Sequence, residues 1–135
     1  MSNKGECNMK ECRLTITTQA NGEENSIFRK GKMQILPLSA QIEYEDENAK
    51  VCLKLENNDV YIERQGDYTL SIPLREKMKT DGKIGIGGSN GNVGVYAHKV
   101  SYSISKDSVL LVLHYDLLFG EEKQEIKLRL LARIG

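Results

Sequence analysis

The strict alternation of apolar and polar residues between Ile42 and Leu74 constrains the fold of this chain more than any other feature. Successive side chains of a β-strand point to opposite faces of the sheet, so a period of two predicts strands that bury one face. The alternation covers four successive runs, Ile42–Tyr44, Val51–Leu55, Val60–Ile62 and Leu70–Leu74. These runs predict an antiparallel meander with one apolar face and one charged face.

Short polar segments separate the four runs, and they have the composition of tight turns. They are Asp46–Asn48, Asn57–Asp59 and Gln65–Asp67. Asn, Asp and Gly tolerate the positive φ angles that hairpin turns require. We therefore expect hairpins between the four strands.

The rest of the chain extends this sheet. Further strands are predicted at Cys12–Gln19, Met33–Glu45, Val93–His98, Val100–Ser105, Val109–Phe119 and Glu125–Ile134. Pro37 within the second of these indicates an edge position, a bulge or a break. The segment Ser26–Lys32 has no clear pattern, and the glycine-dense Gly82–Gly94 predicts a flexible hairpin or a bulged strand pair. An up-and-down sheet leaves exposed edges unless it closes. We therefore predict an all-β fold, a single antiparallel up-and-down meander barrel of about 8–10 strands, with a two-sheet sandwich as the alternative.

Four polar or amphipathic side chains interrupt the inward face of the predicted barrel. They are Tyr44, Arg64, Tyr68 and Tyr115. A buried guanidinium is costly unless it is paired, and Asp46 or Glu45 could supply the carboxylate. One interpretation is a structural polar plug, the more common outcome because buried charges are usually paired internally. The other is a cavity with a fixed positive charge, which suits a small carboxylate or phosphate ligand with an apolar body.

Composition excludes several classes of function. The 135 residues carry 19 Lys and Arg against 19 Asp and Glu, so we expect no nucleic-acid partner and no anionic membrane surface. No apolar run reaches the roughly 20 residues of a membrane helix, and no secretory signal is visible. Three cysteines, an odd number, do not predict a disulfide framework. We expect a cytoplasmic protein with reduced thiols, a loose tail over residues 1–11 and one barrel domain over residues 12–135.

No motif in the chain requires catalysis, a cofactor or a metal. Gly85–Gly87 lacks the third glycine and the following helix of a dinucleotide-binding loop. The three cysteines do not have the spacing of a structural zinc site; they are Cys7, Cys12 and Cys52. His98 and His114 are the two histidines, and no serine lies in a nucleophile-elbow pattern. We therefore expect no catalytic residues, no cofactor and no metal site, and an enzyme is the least supported class.

Several short motifs resemble the YwiB-like family of uncharacterised bacterial proteins. The resemblance lies in Tyr44-Glu45, in the segment Val60–Gly66, in a glycine turn near Gly91 and in the segment Tyr115–Gly120. It spans the chain from about Cys12 to Ile134 and implies a lipocalin-like, or calycin-like, barrel. The family usually approaches its glycine turn with a Thr-Pro-Tyr-Gly-like sequence, whereas this chain has Gly-Ser-Asn-Gly there. The resemblance implies a fold and supplies no catalytic residues.

Two functions from different classes follow. The first is a binding protein that holds a small, anionic and amphipathic ligand in the barrel interior, at the four inward polar residues. The second is a protein-interaction or homodimerisation module with a barrel filled by its own side chains. The outward Tyr61, Val112 and Leu118 would then contribute an apolar patch. Interior volume and oligomeric state distinguish these functions.

Overall fold

The chain forms a closed barrel of ten antiparallel strands in a computed structural model that describes residues 9–135. The strands are β1 Lys10–Ala20, β2 Glu23–Ile35, β3 Ser39–Asp46, β4 Ala49–Glu56, β5 Asp59–Gln65, β6 Tyr68–Leu74, β7 Lys79–Ile86, β8 Ser89–Ile104, β9 Ser108–Phe119 and β10 Glu122–Ile134. Each strand pairs with its neighbour in sequence, and β1 closes the ring against β10. The predicted up-and-down barrel of about 8–10 strands is confirmed. Within the described residues there is no helix with the length and apolar character to cross a membrane.

Several element boundaries differ from those predicted. β2 contains the unassigned segment Ser26–Lys32, and β1 begins at Lys10, two residues before the predicted start. Lys10 and Glu11, which were predicted to belong to the tail over residues 1–11, are therefore part of β1, and residues 1–8, including Cys7, lie outside the described part. The two strands predicted between Val93 and Ser105 are one continuous strand, β8. It contains an irregularity between Ala97 and Lys99 that breaks the period of two.

Two of the three turns predicted between β3 and β6 contain residues with positive φ angles. Glu47 and Asn48 have φ angles of 49° and 69°, and Asn57 and Asn58 have φ angles of 55° and 67°. Gly87 and Gly88 take the same left-handed region between β7 and β8. The glycine-dense segment is therefore a strand hairpin, as one of its two interpretations predicted.

The two ends of the barrel differ in how fully their inward side chains are covered. We call the end that carries the β1–β2, β3–β4, β5–β6, β7–β8 and β9–β10 hairpins the open end, and the opposite end the closed end. Inward residues toward the closed end, such as Leu55, Leu74 and Val109, are 0% exposed. At the open end Leu70 and Ile84 are only partly buried, and Ile86 is 60% exposed. The hydrophobic core therefore fills the closed end and leaves apolar side chains accessible at the other.

Gly31 is predicted to be the least replaceable strand glycine. A Cβ atom added at Gly31 would overlap the carbonyl oxygen of Glu43 and lie 3.0 Å from the Cβ of Tyr44. We expect Gly31→Ala to lower the free energy of unfolding by about 1–3 kcal/mol, because the β2–β3 backbone pair must move apart. Gly91→Ala is the matched control, since the nearest atom to its added Cβ is 4.0 Å away. Urea unfolding of both variants tests this, and equal stabilities would contradict the close approach.

Candidate ligand-binding site at the open end of the barrel

The structure brings together the four inward residues that the sequence singled out. Tyr44 on β3, Arg64 on β5 and Tyr68 on β6 are partly buried, and Tyr115 on β9 is 6% exposed. The Arg64 guanidinium carbon lies 3.8 Å from the centre of the Tyr68 ring, the geometry of a cation–π contact. Burial raises the pKa of Tyr115, and the electrostatic effects of Tyr44 and Tyr68 add to the rise because the three phenols lie near one another.

The Arg64 guanidinium is held by its own hairpin. Its Nη1 donates to the carbonyl oxygen of Tyr68 at 2.9 Å, and its Nη2 donates to Oδ1 of Asp67 at 3.1 Å. The expected carboxylate partners, Asp46 and Glu45, do not take this role. The Arg64 side chain is 22% exposed, whereas that of Asp67 is 81% exposed. Arg64 therefore lies at the rim of the barrel, and its carboxylate partner Asp67 is exposed to solvent.

A second arginine at the open end, Arg29, was missed by the sequence analysis. It lies on β2, and its Nη2 and Nε donate to Oδ1 of Asp46 at 2.7 Å and 3.3 Å. Its Nη1 donates to the carbonyl oxygen of Phe28 at 2.9 Å. Alternation counted back from the buried Met33 places Arg29 inward. The segment Ser26–Lys32 around it has no clear pattern of its own, so the sequence predicted no strand there. This pair explains why Asp46 is not available to Arg64.

Both deeper tyrosines stay protonated at neutral pH. Burial raises the pKa of Tyr44 to about 12, with the Asp46 charge adding to the rise and the Arg29 charge opposing it. Burial also raises the pKa of Tyr115 above its usual range, with smaller contributions from Tyr44 and Tyr68. A protonated phenol can donate a hydrogen bond to an anion. The open end therefore combines two guanidinium groups with phenol donors and exposed apolar side chains.

The space available for a ligand is shallow. Toward the closed end the inward side chains of Leu53, Ile72, Leu111 and Leu130 are 0–2% exposed and fill the barrel. Arg64 also borders an open groove of about 550 Å³ that is lined by residues of β5–β8. A ligand at these residues would lie at the rim, not in a deep central cavity.

A separate constellation that the sequence did not predict lies on the outer face. Nε2 of His98 on β8 is 2.8 Å from Oδ2 of Asp116 on β9. Nε2 of His114 is 2.5 Å from Oε2 of Glu125 on β10. The two imidazole rings lie 4.5 Å apart at an interplanar angle of 30°. The sequence carries no signal for the proximity of His114 to His98, because that proximity depends on the irregularity in β8.

Comparisons with known proteins agree with this architecture. A family described as "Domain of unknown function (DUF1934)" matches residues 11–130. The crystal structure of the ywiB protein from Bacillus subtilis superposes with a TM-score of 0.80 over 98% of this chain and 99% of that one, at 12% sequence identity. No curated protein matches the chain. The predicted relationship to the YwiB-like family is confirmed, and the structural likeness extends to the fold alone.

Proposed function

We propose a ligand-binding function for this chain, which belongs to the DUF1934 family of domains of unknown function. The ligand class is a small amphipathic anion, a carboxylate or phosphate with an apolar body, bound at the open end of the barrel. The observation that carries the proposal is the environment of Arg64. Its guanidinium lies at the rim of the barrel, stacks on the Tyr68 ring and pairs with Asp67, whose side chain is 81% exposed. We propose no reaction and no cofactor for this site.

The Arg64–Asp67 pair is suited to exchange with a ligand. An ion pair with an exposed partner contributes little to stability, at most about 1 kcal/mol, so its loss is small. A guanidinium binds a carboxylate or phosphate through two parallel hydrogen bonds, a stronger arrangement than the single bond to Asp67. Stacking on Tyr68 keeps the guanidinium in place during the exchange. The ligand anion therefore replaces the Asp67 carboxylate.

The apolar body of the ligand has a matching surface beside this charge. Leu70 and Ile84 face one another across β6 and β7, as do Tyr68 and Ile86, and these four side chains are only partly covered. Covering apolar surface stabilises a complex by about 25 cal/mol per Å². The filled hydrophobic core toward the closed end leaves no deep space, so the ligand stays near the rim. The proposal therefore concerns medium-length apolar chains or small rings, not long acyl chains.

Titration with decanoate tests this function. We expect saturable one-to-one binding by calorimetry, and roughly 10-fold to 100-fold weaker binding for Arg64→Gln, because a hydrogen bond to a charged group contributes about 1.5–3 kcal/mol. The matched control is Arg129→Gln on the exposed outer face of β10, which should bind as the unaltered protein does. Equal binding by the two variants, or absence of saturable binding, would contradict the proposal.

Homodimerisation is the second candidate function, and one feature of β2 favours it. β1 pairs with β2 over the whole of Glu23–Met33, whereas β3 pairs with it only over Gly31–Ile35. One backbone edge of residues 23–30 is thus left without a β3 partner, and Phe28 within it is 74% exposed. An antiparallel pair of such edges from two copies would form a symmetric interface.

Light scattering at several protein concentrations tests the dimer. We expect a dimer that Phe28→Glu converts to a monomer, because the substitution places a carboxylate at the centre of the edge contact. Leu38→Glu is the control, since Leu38 is 84% exposed and lies at the closed end. A monomer at all concentrations would remove this candidate and leave the ligand-binding proposal untouched.

A further inference from the structure

Four potential metal-ligating side chains meet on the outer face of three adjacent strands. His114 and Asp116 are alternate outward residues of β9, Glu125 of β10 is directly opposite Asp116, and His98 comes from β8. His98, His114 and Asp116 each offer a ligand atom, and these three atoms lie within 4.8 Å of one another. This group is separate from the open-end site, which is formed by inward side chains.

A bulge in β8 brings the first histidine to this group. Ala97 pairs with Tyr115 and Lys99 pairs with His114, so His98 is the extra residue between them. His98 and Lys99 therefore stand opposite His114 together, while the flanking Ala97 and Val100 both remain buried. Bulges of this kind redirect a side chain and are over-represented next to functional sites.

The donor set has the chemistry of a transition-metal site. Imidazole nitrogen and carboxylate oxygen are the ligands that Zn²⁺ and related dications use, with bond lengths near 2.0–2.2 Å and tetrahedral ligands roughly 3.4 Å apart. The two contacts of 2.8 Å and 2.5 Å each join an imidazole nitrogen to a carboxylate oxygen. The atoms that share a hydrogen bond in each pair are also atoms that can ligate a cation. Together the two pairs offer two imidazole nitrogens and two carboxylate oxygens.

The Asp116 carboxylate gives an independent indication of a missing partner. Asp116 is 5% exposed, and its Oδ1 atom is buried without a hydrogen-bond partner in the part of the chain that the structure describes. Leaving a buried carboxylate oxygen unpartnered costs free energy. A bound cation would compensate for that cost by neutralising the carboxylate.

We propose that His98, His114, Asp116 and Glu125 form a binding site for a single divalent transition-metal ion of the Zn²⁺ class. The two carboxylates balance the charge of the ion, and Lys99 and Lys127, which pair with His114 from the two neighbouring strands, are exposed. The site joins β8, β9 and β10 across the outer face. It replaces the expectation from the cysteine spacing that the chain has no metal site.

Zinc titration of the full chain, first stripped with a chelator, tests the proposal. We expect one Zn²⁺ per chain by calorimetry and a melting temperature that rises with zinc concentration, because the ion binds the folded state. Asp116→Asn and His98→Gln should each weaken zinc binding at least roughly tenfold. Asp81→Asn, an exposed carboxylate on β7, is the control and should bind as the unaltered protein does.

A second measurement separates ligation from a purely structural role. Co²⁺ in place of Zn²⁺ should show d–d absorption bands of nitrogen and oxygen ligation without a thiolate charge-transfer band. Circular dichroism of the metal-free variants establishes that they fold. A thiolate band, or zinc binding and melting temperatures that Asp116→Asn and His98→Gln leave unchanged, would overturn the proposal. So would zinc having no effect on the melting of the unaltered protein.

Discussion

Leu111→Ala is expected to lower the free energy of unfolding by about 2–5 kcal/mol, whereas Leu110→Ala should change it by less than half as much. Leu111 is 0% exposed in the centre of the barrel, and its neighbour Leu110 faces outward and is only partly buried. The same chemical change therefore creates a cavity at one position and mainly exposes a surface at the other. The difference measures how tightly the interior is filled.

Urea unfolding monitored by circular dichroism provides this comparison, with both variants measured at the same temperature and pH. A hollow barrel would behave differently, because a side chain that borders an existing cavity leaves less packing to lose. Nearly equal destabilisation by the two substitutions would contradict the filled interior. Such a result would also make a deep central cavity possible again as the ligand site.

Alkaline pH is expected to destabilise the barrel through Tyr44. Its pKa is raised from an ordinary value near 10 to about 12 in the folded state. Because the folded state favours the protonated phenol, Tyr44 contributes its full stabilisation below pH 10. That contribution is lost as the pH rises from about 10 through 12. The shift corresponds to roughly 2–3 kcal/mol lost across that interval. The buried Tyr115, whose pKa is also raised, adds to the loss from about pH 10 upward.

Tyr44→Phe should flatten this dependence without abolishing it, since burial also raises the pKa of Tyr115 and of the Cys12 and Cys52 thiols. The free energy of unfolding is measured at about pH 9 and about pH 11.5, below and within the window defined by Tyr44. Tyr61→Phe is the control for the removal of a phenol hydroxyl from the outer face of the barrel. An equal slope for Tyr44→Phe and the unaltered chain would contradict a buried, protonated Tyr44.

The fold was largely predictable because alternation is a direct consequence of strand geometry. Runs such as Val51–Leu55 carry apolar residues on one side, and the structure buries those residues in the core. The strand β2 was harder to predict, because its inward positions include Arg29 and Gly31 between exposed charged residues. Alternation identifies a strand only when the buried face is apolar.

The contacts within the sites were less predictable, because they depend on register and twist. Parity placed Arg64 inward, but its pairing with Asp67 follows from the geometry of the β5–β6 hairpin. Similarly, the approach of His98 to Asp116 depends on one extra residue in β8, and no residue type marks a bulge in advance. Sequence therefore indicated which side chains share a face, and the structure was needed to show which of them meet.

The family relationship explains the barrel without explaining its use. This chain and the ywiB protein share only 12% of their residues, yet their structures superpose over nearly their full lengths. A fold retained at such low identity is maintained by the apolar alternation, since many sequences satisfy it. The residues that we propose for function, at the open end and on the outer face, must therefore be tested in this protein itself.

The most direct test of the proposed function is a map of decanoate binding by ¹H–¹⁵N NMR. We predict saturable shift changes confined to the open end, at the amides of Tyr44, Arg64, Tyr68 and Ile84, with amides near Leu55 and Leu74 at the closed end unaffected. Saturable changes centred on the closed end or on the outer face, or no saturable change at all, would contradict the account.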